Sequence, residues 1–278
     1  MSERALGVIA GTGFYALAPL ADATTTIQHT AYGPVSVTSG TLHGRPTYFV
    51  SRHGVDHSVP PHMVNYRALI QALADLGVTE ILAINVVGGI GHDAGELVVV
   101  DDFIDFTHQR PVTFFDGSTP EGVVHIDMGE PYAERLRQVW IGAANDVGIP
   151  VTPRGVYGAF EGPRFETKAE IRMARAAGVT VVGMTGVPEA VLAAERGIPY
   201  ASLCLVANSA AGLGTEPITV DDVNAVVAQG AATVTRILDR AALSNVASSI
   251  SIHRRASKGP ASPIIWSAEL LTSTSTRP

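Results

Sequence analysis

Residues 6–20 read LGVIAGTGFYALAPL. An apolar run leads into Gly11-Thr12-Gly13, and Phe14, Tyr15 and Ala16 follow. The spacing fits G-x-G-x-x-A, the weaker form of the dinucleotide fingerprint. That fingerprint requires a helix directly after the glycines, then a second strand ending in an acid about 20 residues on. The sequence after the glycines argues against both. Pro19 would fall inside the helix, and Thr24–Thr26 favour extended chain. No acid stands near the end of the next strand. What remains is a strand running into a glycine-rich nest with a threonine hydroxyl, which suits a single phosphate oxyanion; an ordinary tight turn is the plain alternative.

Outward from this turn, short β-rich runs recur: ALGVIA (5–10), PTYFVS (46–51), EILAINVV (80–87), LVVVDDFIDF (97–106), VTVVGMT (179–185) and ASLCLVA (201–207). Several are apolar throughout, as strands covered on both faces are. Helical patterns lie between them, at about 64–76, 131–147, 167–177, 187–196 and 220–243. The first and third run into Gly77 and Gly178, as helix C-termini often do. Alternation of this kind predicts an α/β fold, a single domain with a mixed, largely parallel β-sheet flanked by helices, ending near residue 243. Residues 244–278 are rich in Ser, Thr and Pro and lack sustained periodicity, so they read as a disordered or non-native tail. Within it, 263–272 has the apolar character of a docking segment. Arg254-Arg255-Ala256-Ser257 has the form of a basic-directed phosphorylation site, a form that chance supplies readily.

The chain has 278 residues, 46% of them hydrophobic, and a formal charge of −7. It carries no Lys/Arg-rich run, which excludes the usual nucleic-acid and anionic-membrane footprints. It also has no signal-like N-terminus and no apolar run of about 18 residues. A cytoplasmic protein is the default expectation. The single cysteine, Cys204, sits in an apolar run, so no intrachain disulfide forms and a buried, inert thiol is expected. The acids Asp101, Asp102 and Asp105 stand at a strand end and read as caps or solvated acids rather than metal ligands.

An acidic protein that takes an anionic substrate must gather its positive charge locally. YFVSRHGVDH ends a strand in Arg52 and His53, with His57 close behind; Arg presents a rigid fork of donors to phosphate. VGMTGVPEA places Met184 and Thr185 between a strand and a helix start, where backbone dipoles also favour an anion. Three separate segments thus end strands in phosphate-suited donors.

The fragments AGTG, SRHGVDHSVPPHMVNYRA, INVVGGI, DDFIDFTHQRPVTFFDG, VVHIDMGEPY, EGPRFET and VGMTGVPEAVLA together resemble the trimeric purine nucleoside phosphorylases. The resemblance covers about residues 5–243 and is nearest to the 5′-methylthioadenosine and 5′-methylthioinosine phosphorylase branch. It implies a phosphate site of Thr12, Arg52, His53 and Thr185, with Asn85 and Val86 beside it. It also implies Met184 against the ribose and Phe165 stacked on the base. The family's usual threonine before the base-reading acid is Ala207, which removes one phosphate hydroxyl.

The base-reading stretch is LVANSAAG. Methylthioadenosine phosphorylases carry two aspartates in the matching pattern, where this chain has Asn208 and Ala210. Asparagine offers a donor and an acceptor together, which match O6 and a protonated N7 of a 6-oxopurine. By the resemblance, Glu166 accepts from N1–H, a hydrogen that neutral adenine lacks. Mispairing such a group costs about 1–3 kcal/mol. A helix N-terminal acid and a loop cap are the plain readings of the same two residues. His125 matches a histidine that a neighbouring subunit contributes to the 5′ pocket, and the overall likeness favours a methylthio group there. The expectation is therefore phosphorolysis of 5′-methylthioinosine or another 6-oxopurine nucleoside by a homotrimer, with adenine release from methylthioadenosine as the alternative. Inorganic phosphate is the co-substrate, and neither cofactor nor metal is called for. A nicotinamide-dependent oxidoreductase and a non-catalytic nucleoside-binding protein are more distant alternatives.

Overall fold

A computed structural model describes residues 4–14, 20–54, 58–251 and 264–265, with backbone alone at 244–251 and 264–265. His57, the Arg254–Ser257 motif and most of the tail lie outside the described residues. In chain order the elements are β1 (Ala5–Ala10), β2 (Ala21–Thr30), β3 (Gly33–Leu42), β4 (Arg45–Ser51), α1 (Tyr66–Asp75), β5 (Val78–Gly89), β6 (Leu97–Val99), β7 (Asp102–Asp105) and β8 (Val124–His125). They continue with α2 (Glu134–Asp146), β9 (Val156–Ala159), α3 (Lys168–Ala176), β10 (Val181–Gly183), α4 (Gly186–Glu195), β11 (Tyr200–Ser209), α5 (Val220–Ser251) and β12 (Ile264–Ile265).

The sheet runs β2-β3-β4-β1-β5-β10-β9-β7, and β11 joins it through β5 and β6. β1 pairs in parallel with both β4 and β5, and β11 in parallel with β5. The fold is thus the α/β arrangement expected, a large mixed sheet with helices on both faces. β2 pairs antiparallel with β3, so no βαβ dinucleotide unit follows the glycine turn. The run at 97–106 is two strands rather than one. β6 pairs antiparallel with β11, whereas β7 pairs in parallel with β9, and the chain changes neighbours at Val100–Asp101. α5 continues past residue 243 to Ser251, and β12 pairs with β8.

Side chains alternate across the central strands, as the pleat requires. Ile81, Ala83 and Val87 of β5 face one cluster with Leu69, Ile70 and Leu73 of α1 and Ala190 and Leu192 of α4. Leu82 and Ile84 face the other, with Leu136 and Trp140 of α2 and Val227, Val234 and Ile237 of α5. Trp140 is wholly buried, so truncating it to alanine costs about 3–5 kcal/mol. No helix among the described residues is long and apolar enough to cross a membrane.

This architecture brings distant segments to one edge. β1, β4, β5, β10 and β11 lead respectively into the Gly11–Gly13 turn, Arg52-His53, Gly88-Gly89, Met184-Thr185 and Asn208. β1, β4, β5 and β11 are mutually parallel and meet there at their carboxyl ends, where open α/β sheets bind ligands, whereas β10 runs antiparallel to the end of β5 and brings Met184-Thr185 in across it.

Candidate active site

A cavity of about 650 Å³ opens at this edge. Of the residues predicted from sequence, Thr12, Arg52, His53, Val86, Phe165, Glu166, Met184, Thr185 and Asn208 line it. Asn85, Ala210 and His125 do not.

The glycine turn is held by Phe14 N–H donating to Gly11 O at 2.9 Å. Gly13 has φ +78°, and a Cβ there would lie 2.1 Å from Val227 Cγ1 of α5. Only glycine lets the turn close against that helix. Gly11 plays a related part, because a Cβ on it would come 2.9 Å from Arg52 Nη1.

Arg52 lies under this turn. Its Nε and Nη2 donate to the two carboxylate oxygens of Glu189, the second at 2.9 Å, and Nη1 donates to Ile84 O at 3.3 Å. Both side chains are buried, and Tyr200 donates a third hydrogen bond to Glu189 at 3.0 Å. Burial opposes the guanidinium's charge, but the Glu189 carboxylate outweighs it and raises the Arg52 pKa above its ordinary value. Arg52 therefore brings a fixed positive charge to the cavity, oriented from behind. Glu189 escaped the sequence reading. Its signal was an acid in the otherwise apolar stretch VPEAVLA, where burial demands a partner.

His53 Nδ1 donates to Val59 O at 2.8 Å, which fixes the tautomer and turns the Cδ2–Nε2 edge towards Gly11. Thr185 donates through Oγ1 to Asn85 Oδ1 at 3.1 Å, and Asn85 Nδ2 donates to Ser202 Oγ at 2.6 Å. Asn85 is thus a buried support behind Thr185 rather than part of the cavity wall. The start of α4 also departs from expectation. The amides of Thr185 and Gly186 donate to the Tyr157 hydroxyl, at 3.2 and 3.1 Å, so those first amides are already engaged. Thr185 lines the cavity, but its hydroxyl hydrogen goes to Asn85 and the first amides of α4 go to Tyr157.

On the opposite side, Phe165 is half exposed, and Glu166 is buried to 9% exposure. The capping box of α3, Thr167 with Glu170, fixes the backbone just after Glu166. Burial raises the Glu166 pKa above its ordinary value, with Glu170 adding to the effect. Asn208 spends one amide hydrogen on Ser209 O at 2.7 Å. Among the described residues nothing else engages its second amide hydrogen or its carbonyl oxygen, which a ligand can use. Ala210 is packed with Ile90, Phe160, Ile171 and Val182, with its Cα beside Gly88, so it shapes the wall from behind.

Sequence reading also missed the third side of the cavity. Val220, Val223 and Asn224 from the first turns of α5 line it, with Ser58, Pro60, Pro61 and Pro163. His125 lies on β8, exposed and away from its own chain's cavity. Asp101, Asp102 and Asp105 accept from the amides of Gly155, Phe103 and Thr107, the capping role expected. Cys204 is buried, which pushes its thiol up to about 12.

The chain belongs to the phosphorylase superfamily, whose family model matches residues 5–242. It is 48% identical over 221 residues to the probable S-methyl-5′-thioinosine phosphorylase of Methanopyrus kandleri, which covers 78% of this chain and 84% of that protein. It is 42% identical over 224 residues to the 6-oxopurine nucleoside phosphorylase of Pyrococcus furiosus, at 78% and 84% coverage. Among solved structures, methylthioadenosine phosphorylase from Schistosoma mansoni in complex with adenine matches with a TM-score of 0.84 at 32% identity. The match covers 88% of this chain and 92% of that one. The family expected from the sequence motifs is the family found.

Proposed function

We propose that this protein catalyses phosphorolysis of a 6-oxopurine nucleoside, with 5′-methylthioinosine the favoured substrate. One observation carries the reading: a single cavity is lined both by a phosphate-suited set, Thr12, Arg52 and His53 with Thr185 beside them, its hydroxyl hydrogen held by Asn85, and by a base-suited set (Phe165, Glu166, Asn208). The relatives named for thioinosine and 6-oxopurine phosphorolysis support it.

In this mechanism an oxygen of inorganic phosphate attacks C1′ of the ribosyl group while the N-glycosidic bond breaks and its electron pair passes to the purine. Arg52 holds the phosphate with the guanidinium hydrogens that Glu189 and Ile84 leave over, and His53, whose Nδ1 hydrogen is spent on Val59 O, meets it through Nε2 by accepting from the P–OH of the hydrogenphosphate dianion; the anion's charge also steadies the oxocarbenium-like sugar. Asn208 Oδ1 accepts from N7–H as that nitrogen takes a proton from solvent, replaced there by the proton the hydrogenphosphate gives up, and the remaining amide hydrogen donates to O6. The Glu166 carboxylate accepts from N1–H. Catalysis is positioning plus electrostatic stabilisation, with no covalent enzyme intermediate, metal or cofactor.

The 5′ group falls to the α5 side. Val220 and Val223 offer the apolar surface a methylthio group requires. Phe165 and Val220 line the cavity yet remain exposed in the single chain, which supports a mouth completed by a neighbouring subunit of a homotrimer, with His125 as the contributed residue. A cytoplasmic location suits a salvage substrate of this kind.

The adenine-releasing alternative draws on the S. mansoni structure and on the raised proton affinity of Glu166. A panel of methylthioinosine, methylthioadenosine, inosine, guanosine and adenosine, each with and without phosphate, discriminates the two. Hypoxanthine release exceeding adenine release is the expected result; preferential adenine release overturns the base assignment.

A further inference from the structure

Arg110 lines no part of the cavity, yet all five of its guanidinium hydrogens are engaged. Nε donates to Glu161 Oε1 at 3.0 Å. Nη1 donates to Val187 O at 2.8 Å and to the Tyr66 hydroxyl at 3.3 Å. Nη2 donates to Glu161 O at 2.7 Å and to Phe160 O at 3.2 Å. The side chain is 1% exposed.

These acceptors belong to three segments that build separate sides of the site. Val187 lies between Thr185 and Glu189, the residues that face and orient the phosphate set. Phe160 and Glu161 lead into Phe165 and Glu166, the base set. Tyr66 donates to Pro61 O at 2.8 Å, and Pro61 lines the cavity. The same segments meet closely elsewhere. A Cβ on Gly162 would come 2.6 Å from Met184 Sδ and 3.3 Å from Pro61 Cγ. A guanidinium is planar and rigid, so one with every donor engaged fixes the relative position of its acceptors.

We propose that Arg110 is a positioning residue that sets the distance between the phosphate-binding and base-binding halves of the site while touching neither substrate. The inference rests on the phosphorolysis reading above. Each half keeps its own contacts without Arg110, so each ligand alone still binds; what fails is their alignment for attack. A misplacement of about 1 Å costs roughly a hundredfold in rate.

The test compares wild type, Arg110→Lys and Tyr66→Phe by calorimetric titration with inorganic phosphate alone, titration with hypoxanthine alone, and steady-state phosphorolysis of inosine. For Arg110→Lys the expected result is a kcat lowered about a hundredfold with both binary affinities and both KM values close to wild type. Retained kcat overturns the proposal, as does a rise in KM and loss of binary binding that parallel a fall in Tm, since both mark a purely structural role. Should Arg110→Lys not fold, Tyr66→Phe decides. A smaller, kcat-selective loss supports the clamp, and wild-type kinetics overturn it. An active wild type with unaffected variants sinks this proposal alone, whereas a wild type that releases no base sinks the functional reading with it.

Discussion

Arg52 and Glu189 form a two-point ion pair sealed from solvent, with Arg52 Nη2 2.9 Å from Glu189 Oε2 and side-chain exposures of 1% and 0%. The pair fixes where the cavity's main positive charge sits. Removing one member of such a pair leaves the other buried and uncompensated, at about 3–5 kcal/mol.

Glu189→Gln keeps the volume and loses the charge and one oriented acceptor. Arg52 then keeps Ile84 O and one side-chain oxygen as acceptors, and its orientation towards the proposed phosphate site loosens. A charge-assisted hydrogen bond is worth about 1.5–3 kcal/mol, so the KM for phosphate should rise roughly ten- to a hundredfold. The KM for nucleoside should change far less. Initial-rate kinetics with each substrate varied in turn check this, and an unaltered phosphate KM would remove Glu189 from the account.

Glu166 predicts a pH dependence. Its pKa is raised by burial, so protonation begins at a higher pH than for an ordinary glutamate. The carboxylate form accepts N1–H of a 6-oxopurine; the protonated form donates to N1 of an adenine. As pH falls through the raised pKa, kcat/KM for inosine should fall relative to that for adenosine. The stability sign runs the other way. A raised folded-state pKa means the native state favours the proton, so the wild-type contribution is best at low pH and lost as pH rises through that pKa. Glu166→Gln should therefore raise Tm at neutral pH, a gain that shrinks towards acid, while lowering 6-oxopurine turnover. A neutral-pH Tm below wild type contradicts the burial argument.

Asn208→Asp replaces the donor proposed for O6 by an acceptor and should shift preference towards 6-aminopurines by roughly tenfold or more. Adding Ala210→Asp, as the methylthioadenosine pattern suggests, is expected to fail on stability. Ala210 is 1% exposed in an apolar cluster, and a carboxylate there costs on the order of 4 kcal/mol. Thermal melts of the single and double variants, with the inosine-to-adenosine ratio of kcat/KM, test both points.

Asn224 is the polar member of the α5 wall, beside Val220 and Val223. Asn224→Leu should favour methylthioinosine over inosine, by about 1–3 kcal/mol in discrimination. Equal ratios in variant and wild type would place the 5′ group elsewhere.

The central strands and the helices were legible because burial on two faces leaves unbroken apolar runs, and because glycine ends α1 and α3. The β2–β3 hairpin was not. Most of β2 is exposed and its threonines carry no alternation that marks one face. β9 is only four residues, two of them Gly and Ala. The cavity-facing donors could be named because each ends a strand next to glycine or threonine. Their supports could not, since Glu189 lies 137 positions from Arg52 and Asn85 117 from Ser202, and no local pattern records such pairings. Ala210 entered the expected site through the resemblance, as the position of a second aspartate in methylthioadenosine phosphorylases; here it packs with Ile171 and Val182 and does not line the cavity.

Inorganic phosphate, and not water, is the proposed nucleophile. Phosphorus NMR during turnover of methylthioinosine tests it directly. One sugar 1-phosphate should form for each hypoxanthine released, with no release when phosphate is omitted. Hypoxanthine appearing without consumption of inorganic phosphate would contradict it.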